Sequence, residues 1–334
     1  MSKPECPVAV IDISVVNKET AKQLVEAAST QGFMFIEGSG FTAEEADAVF
    51  KMSKEYFELP VDDKNKYPIS ENNMGYSVMK QEILDPETQT SGDPKEAFNF
   101  GVFEKGQPIQ PMPEFFQQAE NFKLIAGLQD KCKDLCKRLS TLLAIGLEID
   151  ETAGGSEWFS SRHNPGQHKS GSIFRLSYYP GQKKAEPEEV IRAGAHTDYG
   201  SLTLLFQREN QEGLEILSPV TKSWTPVPYL PAKDQVSAPP ILINIADQLS
   251  FWTAGILKSS IHRVKFPAKV QESGQDRYSV VYFCHPDDQT LLEPVPSPIV
   301  ARAKGRGANL DGREVITAGQ HLENRSAATY GWKK

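Results

Sequence analysis

Two histidines and an aspartate have the types and spacing of a metal site. In Gly194-Ala-His196-Thr-Asp198-Tyr-Gly200 a His-x-Asp pair closes a β-type run. Residues i and i+2 of a strand point to one face, so His196 and Asp198 can share one ion. A lone His-x-Asp is a weak signal, and its bland reading is a surface turn. Ser259-Ser-Ile-His262-Arg-Val strengthens it by supplying a second imidazole from a separate β-type segment. Two imidazoles and one carboxylate occupy one face of an octahedral ion and leave three adjacent positions, which suits Fe(II) with a chelating cosubstrate and O₂. Zinc hydrolases use similar ligands, although no general base paired with the triad is evident here.

A second pattern lies in Asp276-Arg277-Tyr-Ser279-Val-Val-Tyr-Phe-Cys284, where Arg277 and Ser279 alternate onto one face of an otherwise apolar strand. A guanidinium beside a hydroxyl suits a bidentate grip on a carboxylate, whereas an unpaired buried arginine is costly. A structural ion pair with Asp276 or another acid is the alternative. In Phe174-Arg175-Leu-Ser177-Tyr-Tyr179-Pro180 the odd positions share a face. Tyr179 can add a hydrogen bond to the same carboxylate, while Arg175 points either to a substrate or to an acid.

These residues need a scaffold. The N-terminal part reads as strand Val8–Ile13, helix Lys18–Thr30, strand Phe33–Glu37, and a helix opened by the capping box of Thr42 and Glu45 and stopped by Pro60. Residues 61–112 read as long loops with two short ordered candidates, Met74-Gly75-Tyr76 and Glu96–Gly101. From Pro113, apolar residues recur at helical spacing to Gly146, giving one long helix or two in series. After residue 170 the chain turns to short β-type runs: Ile173–Tyr179, Ala193–Asp198, Leu202–Phe206, Leu214–Leu217, Ile241–Ile245 and Tyr278–Cys284. Strands with no helices between them predict a mainly β fold with flanking α, an antiparallel sandwich or jelly roll. The expected division is 1–112, an N-terminal mixed α/β region with substrate-side loops, and 113–334, the long helix plus β core, in one compact unit.

Composition narrows the chemistry. The 36 Lys and Arg against 44 Asp and Glu give a formal charge of -8, which argues against nucleic acid and anionic membranes and for a small-molecule substrate. Neither a signal peptide nor a membrane span is evident, so a cytoplasmic location is expected. Cys6, Cys132, Cys136 and Cys284 form no disulfide framework and read as reduced thiols. No pattern fixes the oligomeric state.

The motifs together resemble the isopenicillin N synthase-like branch of the 2-oxoglutarate/Fe(II)-dependent oxygenases, with the look of fungal members. Pro7–Asp12, Gly32–Ile36, Gly75-Tyr76 and Lys95-Glu-Ala-Phe98 resemble the first conserved region of that family. Tyr178-Tyr-Pro180, Ala195–Gly200, Gly213-Leu-Glu215, Asn244-Ile-Ala-Asp247, His262-Arg-Val264 and Arg277-Tyr-Ser279 follow in the family's order. Ser177 and Ala246 depart from it, standing where Asn and Gly are frequent.

The resemblance implies a double-stranded β-helix core with Fe(II) on His196, Asp198 and His262. It implies 2-oxoglutarate with its distal carboxylate on Arg277, Ser279 and Tyr179, O₂ as oxidant and ascorbate as a possible reductant. The implied reaction is hydroxylation, desaturation or ring closure of a small molecule with release of succinate and CO₂, in the manner of secondary metabolism. Two alternatives stay open: a family oxidase that uses no 2-oxoglutarate, and a metal-containing sensor of a small ligand without turnover. Arg175, Tyr199, Phe283, Tyr76, Asn99 and Phe100 are the candidate substrate-lining residues, with packing as the competing role for the aromatics. His163 and His168 read as solvated loop residues, and His285 and His321 as structural or surface residues.

Overall fold

The computed structural model describes residues 7–164, 166–181, 191–302 and 315–330. Strand β1 (Ala9–Asp12), helix α1 (Lys18–Thr30) and strand β2 (Phe33–Glu37) form a β-α-β unit with parallel strands. Asn17 caps α1 by accepting from the Thr20 amide at 2.9 Å. Helix α2 (Ala43–Phe57) starts at the expected capping box: the Glu45 amide donates to Thr42 Oγ1 at 3.1 Å and the Thr42 amide to the Glu45 carboxylate at 2.9 Å. Such a cap contributes about 1 kcal/mol. Pro60 then leads into the short α3 (Val61–Lys64).

Both ordered candidates in the loop-rich stretch are strands, β3 (Gly75–Ser77) and β4 (Glu96–Gly101). The following helix comes in two pieces, α4 (Glu114–Gln117) and α5 (Ala119–Gly146), because Gln118 between them is extended at ψ 136°. Strands β5 (Ile173–Tyr179), β6 (Ile191–His196), β7 (Leu202–Phe206), β8 (Leu214–Leu217), β9 (Trp224–Pro226) and β10 (Ile241–Ile245) come next. Helix α6 (Asp247–Trp252), β11 (His262–Lys265), α7 (Ala268–Ser273), β12 (Arg277–Cys284), α8 (Pro298–Arg302) and α9 (Ala318–Tyr330) complete the order. Several expected bounds shift: β1 is shorter by one residue at each end, β6 starts at Ile191 and ends at His196, leaving Asp198 in the turn beyond it, and β12 already includes Arg277.

Among the described residues, eight strands form one sheet in the order β1-β2-β10-β7-β12-β5-β4-β3, and four form a second in the order β6-β11-β8-β9. Period-two alternation explains the layers. In the large sheet Met34, Ile36, Phe98, Phe100, Phe174, Leu176, Leu204, Ile243, Val280 and Tyr282 share one core with the buried stripes of α1, α2 and α5. Their neighbours on the other face meet the small sheet: Phe33, Phe35 and Leu242 pack with Leu214 and Ile216, and Tyr179 with Ala193 and Val264. This is the double-stranded β-helix with helices against one outer face. Strands from both sides of residue 112 lie in the one large sheet.

Cys132, Cys136 and Cys284 are buried free thiols where α5 backs β12. Cys6 lies outside the described residues. Among the described residues no helix is long and apolar enough to cross a membrane.

Candidate active site

The triad forms where the small sheet ends. His262 of β11 pairs in register with His196 of β6, and their ring centroids lie 4.3 Å apart. Asp198 reaches the same point from the turn after β6, with Oδ1 3.7 Å from His196 Nε2 and 3.6 Å from His262 Nε2. One ligand atom from each of the three lies within 4.8 Å of the others. Gly200 keeps the turn tight: a Cβ there would stand 2.5 Å from the Cys284 carbonyl oxygen.

Surrounding groups fix each ligand. His196 Nδ1 donates to the Gly194 carbonyl at 2.8 Å and His262 Nδ1 to the Ser260 carbonyl at 3.1 Å, which leaves both Nε2 lone pairs for an ion. Asp198 Oδ2 accepts from Thr203 Oγ1 and Asn244 Nδ2, each at 2.7 Å, so Oδ1 faces the imidazoles. Burial, then the neighbouring His262, pull the His196 pKa down to about 3, which keeps it neutral. Burial opposes the charge on Asp198, but His262 and His196, then the bonds from Asn244 and Thr203, outweigh it and the pKa is lowered. A neutral imidazole beside an ionised carboxylate is the donor set a divalent ion requires.

A cavity of about 140 Å³ opens from the triad and runs along the odd positions of β12. At one end Arg277 is 3 % exposed and stands opposite Tyr179 in the register of β12 and β5, its guanidinium carbon 4.8 Å from the Tyr179 ring centroid. Arg277 Nε donates to the Gln211 carbonyl at 2.9 Å, but Nη1 is buried with no hydrogen-bond partner among the described residues. Ser279 lines the cavity on the same face. A buried, unsatisfied guanidinium N–H is costly unless an anion meets it, and Arg277 lines the cavity, so the residues fit a carboxylate there.

Of six further candidates, three reach the cavity. Tyr199, Phe283 and Arg175 line the cavity. Arg175 is also bound within the protein: Nε donates to Asn99 Oδ1 at 2.7 Å and Nη2 lies 3.1 Å from Glu82 Oε1. Tyr76, Phe100 and Asn99 do not line it. Tyr76 and Phe100 point to the helix side of the sheet, where Tyr76 donates to Glu96 at 2.6 Å and Phe100 packs on Phe98, Phe116 and Phe174. Asn99 is buried behind Arg175 and donates to Asn73.

Several residues with no assigned role in the cavity also line it, Leu84, Lys95, His285 and Leu322 among them. Leu84 and Leu322 carried no sequence signal, and Lys95 lay within a family motif. Lys95 is held by Glu82 at 2.9 Å and Asp93 at 3.3 Å. His285 continues the odd-numbered face of β12 one step past the strand, a signal the alternation did contain. It is buried, its Nδ1 has no partner among the described residues, and burial lowers its pKa to about 3. His163 is no solvated loop residue, since its ring bonds to the Phe159 carbonyl at 2.7 Å and to Ser201 Oγ at 2.9 Å. His168 is exposed.

Fold and site together define a non-haem iron oxygenase with a facial triad. Residues 170–286 match the 2OG-Fe(II) oxygenase superfamily, and residues 8–120 match the family described as non-haem dioxygenase in morphine synthesis N-terminal. The chain therefore belongs to the 2-oxoglutarate/Fe(II)-dependent oxygenases, and its cofactors are Fe(II), on His196, Asp198 and His262, and 2-oxoglutarate. It is 33% identical to a UPF0676 protein of Schizosaccharomyces pombe, over 96% of this chain and 90% of that one. It is 28% identical to the 2-oxoglutarate-dependent dioxygenase htyE of Aspergillus rugulosus, over 92% of each. A full-length Neurospora crassa protein, solved in complex with alpha-KG, superposes with a TM-score of 0.78 at 29% identity over 98% of both chains. The same Neurospora protein in complex with alpha-KG and thymine gives 0.77 at 28% identity, again over 98% of both chains.

Proposed function

We propose that the protein oxidises a small carbonyl-bearing or acidic molecule, by hydroxylation or by desaturation or ring closure, while 2-oxoglutarate is converted to succinate and CO₂. Bound Fe(II) with 2-oxoglutarate supplies the means to reduce O₂ and deliver an oxidising equivalent to a substrate C–H. Arg277 neutralises and orients the distal carboxylate of 2-oxoglutarate, Ser279 donates to it, and Tyr179 closes over the guanidinium. The observation that carries this reading is that Arg277, whose buried Nη1 has no partner among the described residues, lines the same cavity as the triad.

The substrate occupies the other end, between Tyr199 and Phe283. Arg175, 5.4 Å from the Phe283 ring centroid, presents a cation there for a carbonyl or carboxylate oxygen. Its bonds to Asn99 and Glu82 hold the guanidinium plane in place, so less ordering remains for substrate binding to accomplish. The likeness to the Neurospora protein solved with thymine makes thymine, a planar molecule with two carbonyls, a first member of the substrate panel.

The test is an anaerobic titration of metal-free protein with Fe(II) and then 2-oxoglutarate, following the visible charge-transfer band of the chelated keto acid. The band is expected in the wild type and lost in Arg277→Ala at matched concentrations. A band of undiminished affinity in the variant would remove Arg277 from the cosubstrate site. Succinate release then screens substrates, and an Arg175→Ala variant with unchanged substrate affinity would sink its assigned role.

A further inference from the structure

Helix α9, remote in sequence from every motif above, touches both the cavity and the turn that carries a metal ligand. Its start is anchored: the Ala318 amide donates to the Thr290 carbonyl at 2.8 Å, the Gly319 amide to the Asp288 carbonyl at 3.0 Å, and Gln248 Nε2 to the Ala318 carbonyl at 2.8 Å. One turn on, Leu322 lines the cavity and lies directly over Gly171, where its terminal methyl leaves no room for a Cβ. Three residues further, on the same helix face, Arg325 Nη2 meets Asp247 Oδ2 at 2.7 Å and Thr197 Oγ1 at 3.1 Å. The Arg325 guanidinium carbon lies 5.2 Å from the centroid of the Tyr199 ring.

Thr197 and Tyr199 flank the ligand Asp198, and the Asp247 amide donates to the Asp198 carbonyl at 2.8 Å. A single cation thus joins the C-terminal helix to both segments that position the ligand and to one wall of the cavity. The Arg325 side chain is 46% exposed against 18% for Asp247. A pair that half exposed contributes little to global stability, which suits a contact that opens and closes better than one that holds the fold.

We propose that α9 is a closing wall of the substrate chamber, with Arg325 as the positioning residue that holds it shut and Leu322 as a specificity-determining contact. Substrate entry then requires Arg325 to leave Asp247 and Thr197, and the bound substrate packs under Leu322. The assignment rests on the reading that substrate lies on the Tyr199 and Phe283 side of the cavity. It adds to that reading a movable element whose size sets which molecules fit.

The experiment uses the full chain loaded anaerobically with Fe(II) alone, and two chelators as probes: small 2,2′-bipyridine and a bulky sulfonated phenanthroline. Arg325→Ala is expected to speed iron capture about tenfold and to raise deuterium uptake in residues 316–325, while Arg325→Lys stays near wild type. Leu322→Ala is expected to speed capture by the bulky chelator more than by the small one. Equal capture rates and equal exchange in wild type and Arg325→Ala would overturn the closing wall. The same factor for both chelators in Leu322→Ala would overturn the Leu322 contact. Weakened equilibrium Fe(II) binding in Arg325→Ala would also overturn the proposal, since Arg325 would then be a support of the Asp198 turn. The probes need no 2-oxoglutarate, so a failed Arg277 titration leaves this test standing.

Discussion

Thr203 donates its hydroxyl to Asp198 Oδ2 at 2.7 Å, the same oxygen that Asn244 holds, and so turns Oδ1 toward His196 and His262. Removing such outer partners of a metal ligand costs roughly 10- to 100-fold in metal affinity. Thr203→Val and Asn244→Leu are each expected to weaken Fe(II) binding within that range, measured by anaerobic titration. The folded state should survive, because both replacements fill similar space. Wild-type affinity in both variants would show that Oδ1 is aimed by the turn alone.

The Arg277 guanidinium fork is what a carboxylate recognises, and a lysine offers the charge without the fork. Arg277→Lys is expected to retain a 2-oxoglutarate complex while raising its half-saturation point about tenfold. Arg277→Ala should raise it about 100-fold, the scale of a lost charge-assisted hydrogen bond of about 2–3 kcal/mol. Titrating the charge-transfer band in all three proteins checks the order. Equal losses in Lys and Ala would place the recognition in geometry and assign none of it to charge.

Tyr76 sits 20 residues before Glu96 and donates to its carboxylate at 2.6 Å, while Lys64 bonds the same oxygen at 2.7 Å. All three are buried on the helix side of the large sheet. Tyr76→Phe is expected to lower stability by about 1–3 kcal/mol, because a buried carboxylate loses one of its partners. Succinate formation under saturating conditions should not change. A selective rise in substrate KM without loss of stability would return Tyr76 to the substrate wall.

The contrast between Tyr76 and Phe283 shows where sequence reasoning reaches its limit. Along β12 the alternation placed Arg277 and Ser279 on one face without any coordinates, because a strand has a fixed period, and Phe283 lies on that same face. Nothing local says which face of β3 or β4 meets the cavity. That depends on register against β5, where Phe100 stands opposite Phe174 and Asn99 opposite Arg175. The triad was legible because its spacing carries chemistry, although Asp198 reaches it from a turn and not from the strand. Leu322 was not legible, since only the return of the C-terminal helix across the cavity brings it there. The double-stranded β-helix was legible from the run of short strands, although the short helices α6 and α7 lie between β10 and β12 where none was expected, and the joining of β3 and β4 to the large sheet was hidden in residues that read as loop.

Lys95 ties the buried charges beside the cavity to the backbone that holds the triad. Its side chain is 5% exposed and binds Glu82 at 2.9 Å and Asp93 at 3.3 Å. Asp93 Oδ1 in turn accepts from the Gly194 amide at 2.9 Å, and the Gly194 carbonyl accepts from His196 Nδ1 at 2.8 Å. Lys95→Met deprives two buried carboxylates of this cation, a class of change that destabilises by about 3–5 kcal/mol. Burial disfavours the lysine charge, but Glu82 and then Asp93 outweigh it and its pKa is raised in the fold. A raised lysine pKa contributes stability that is complete below the unfolded value of about 10.4 and is lost only as pH rises through the folded one. The stability gap between wild type and Lys95→Met, read from chemical denaturation, should therefore stay flat from about pH 6 to 9. A gap that shrinks across that window would assign the effect to another titrating group, and a variant as stable as wild type would mean that Arg175 alone balances both acids.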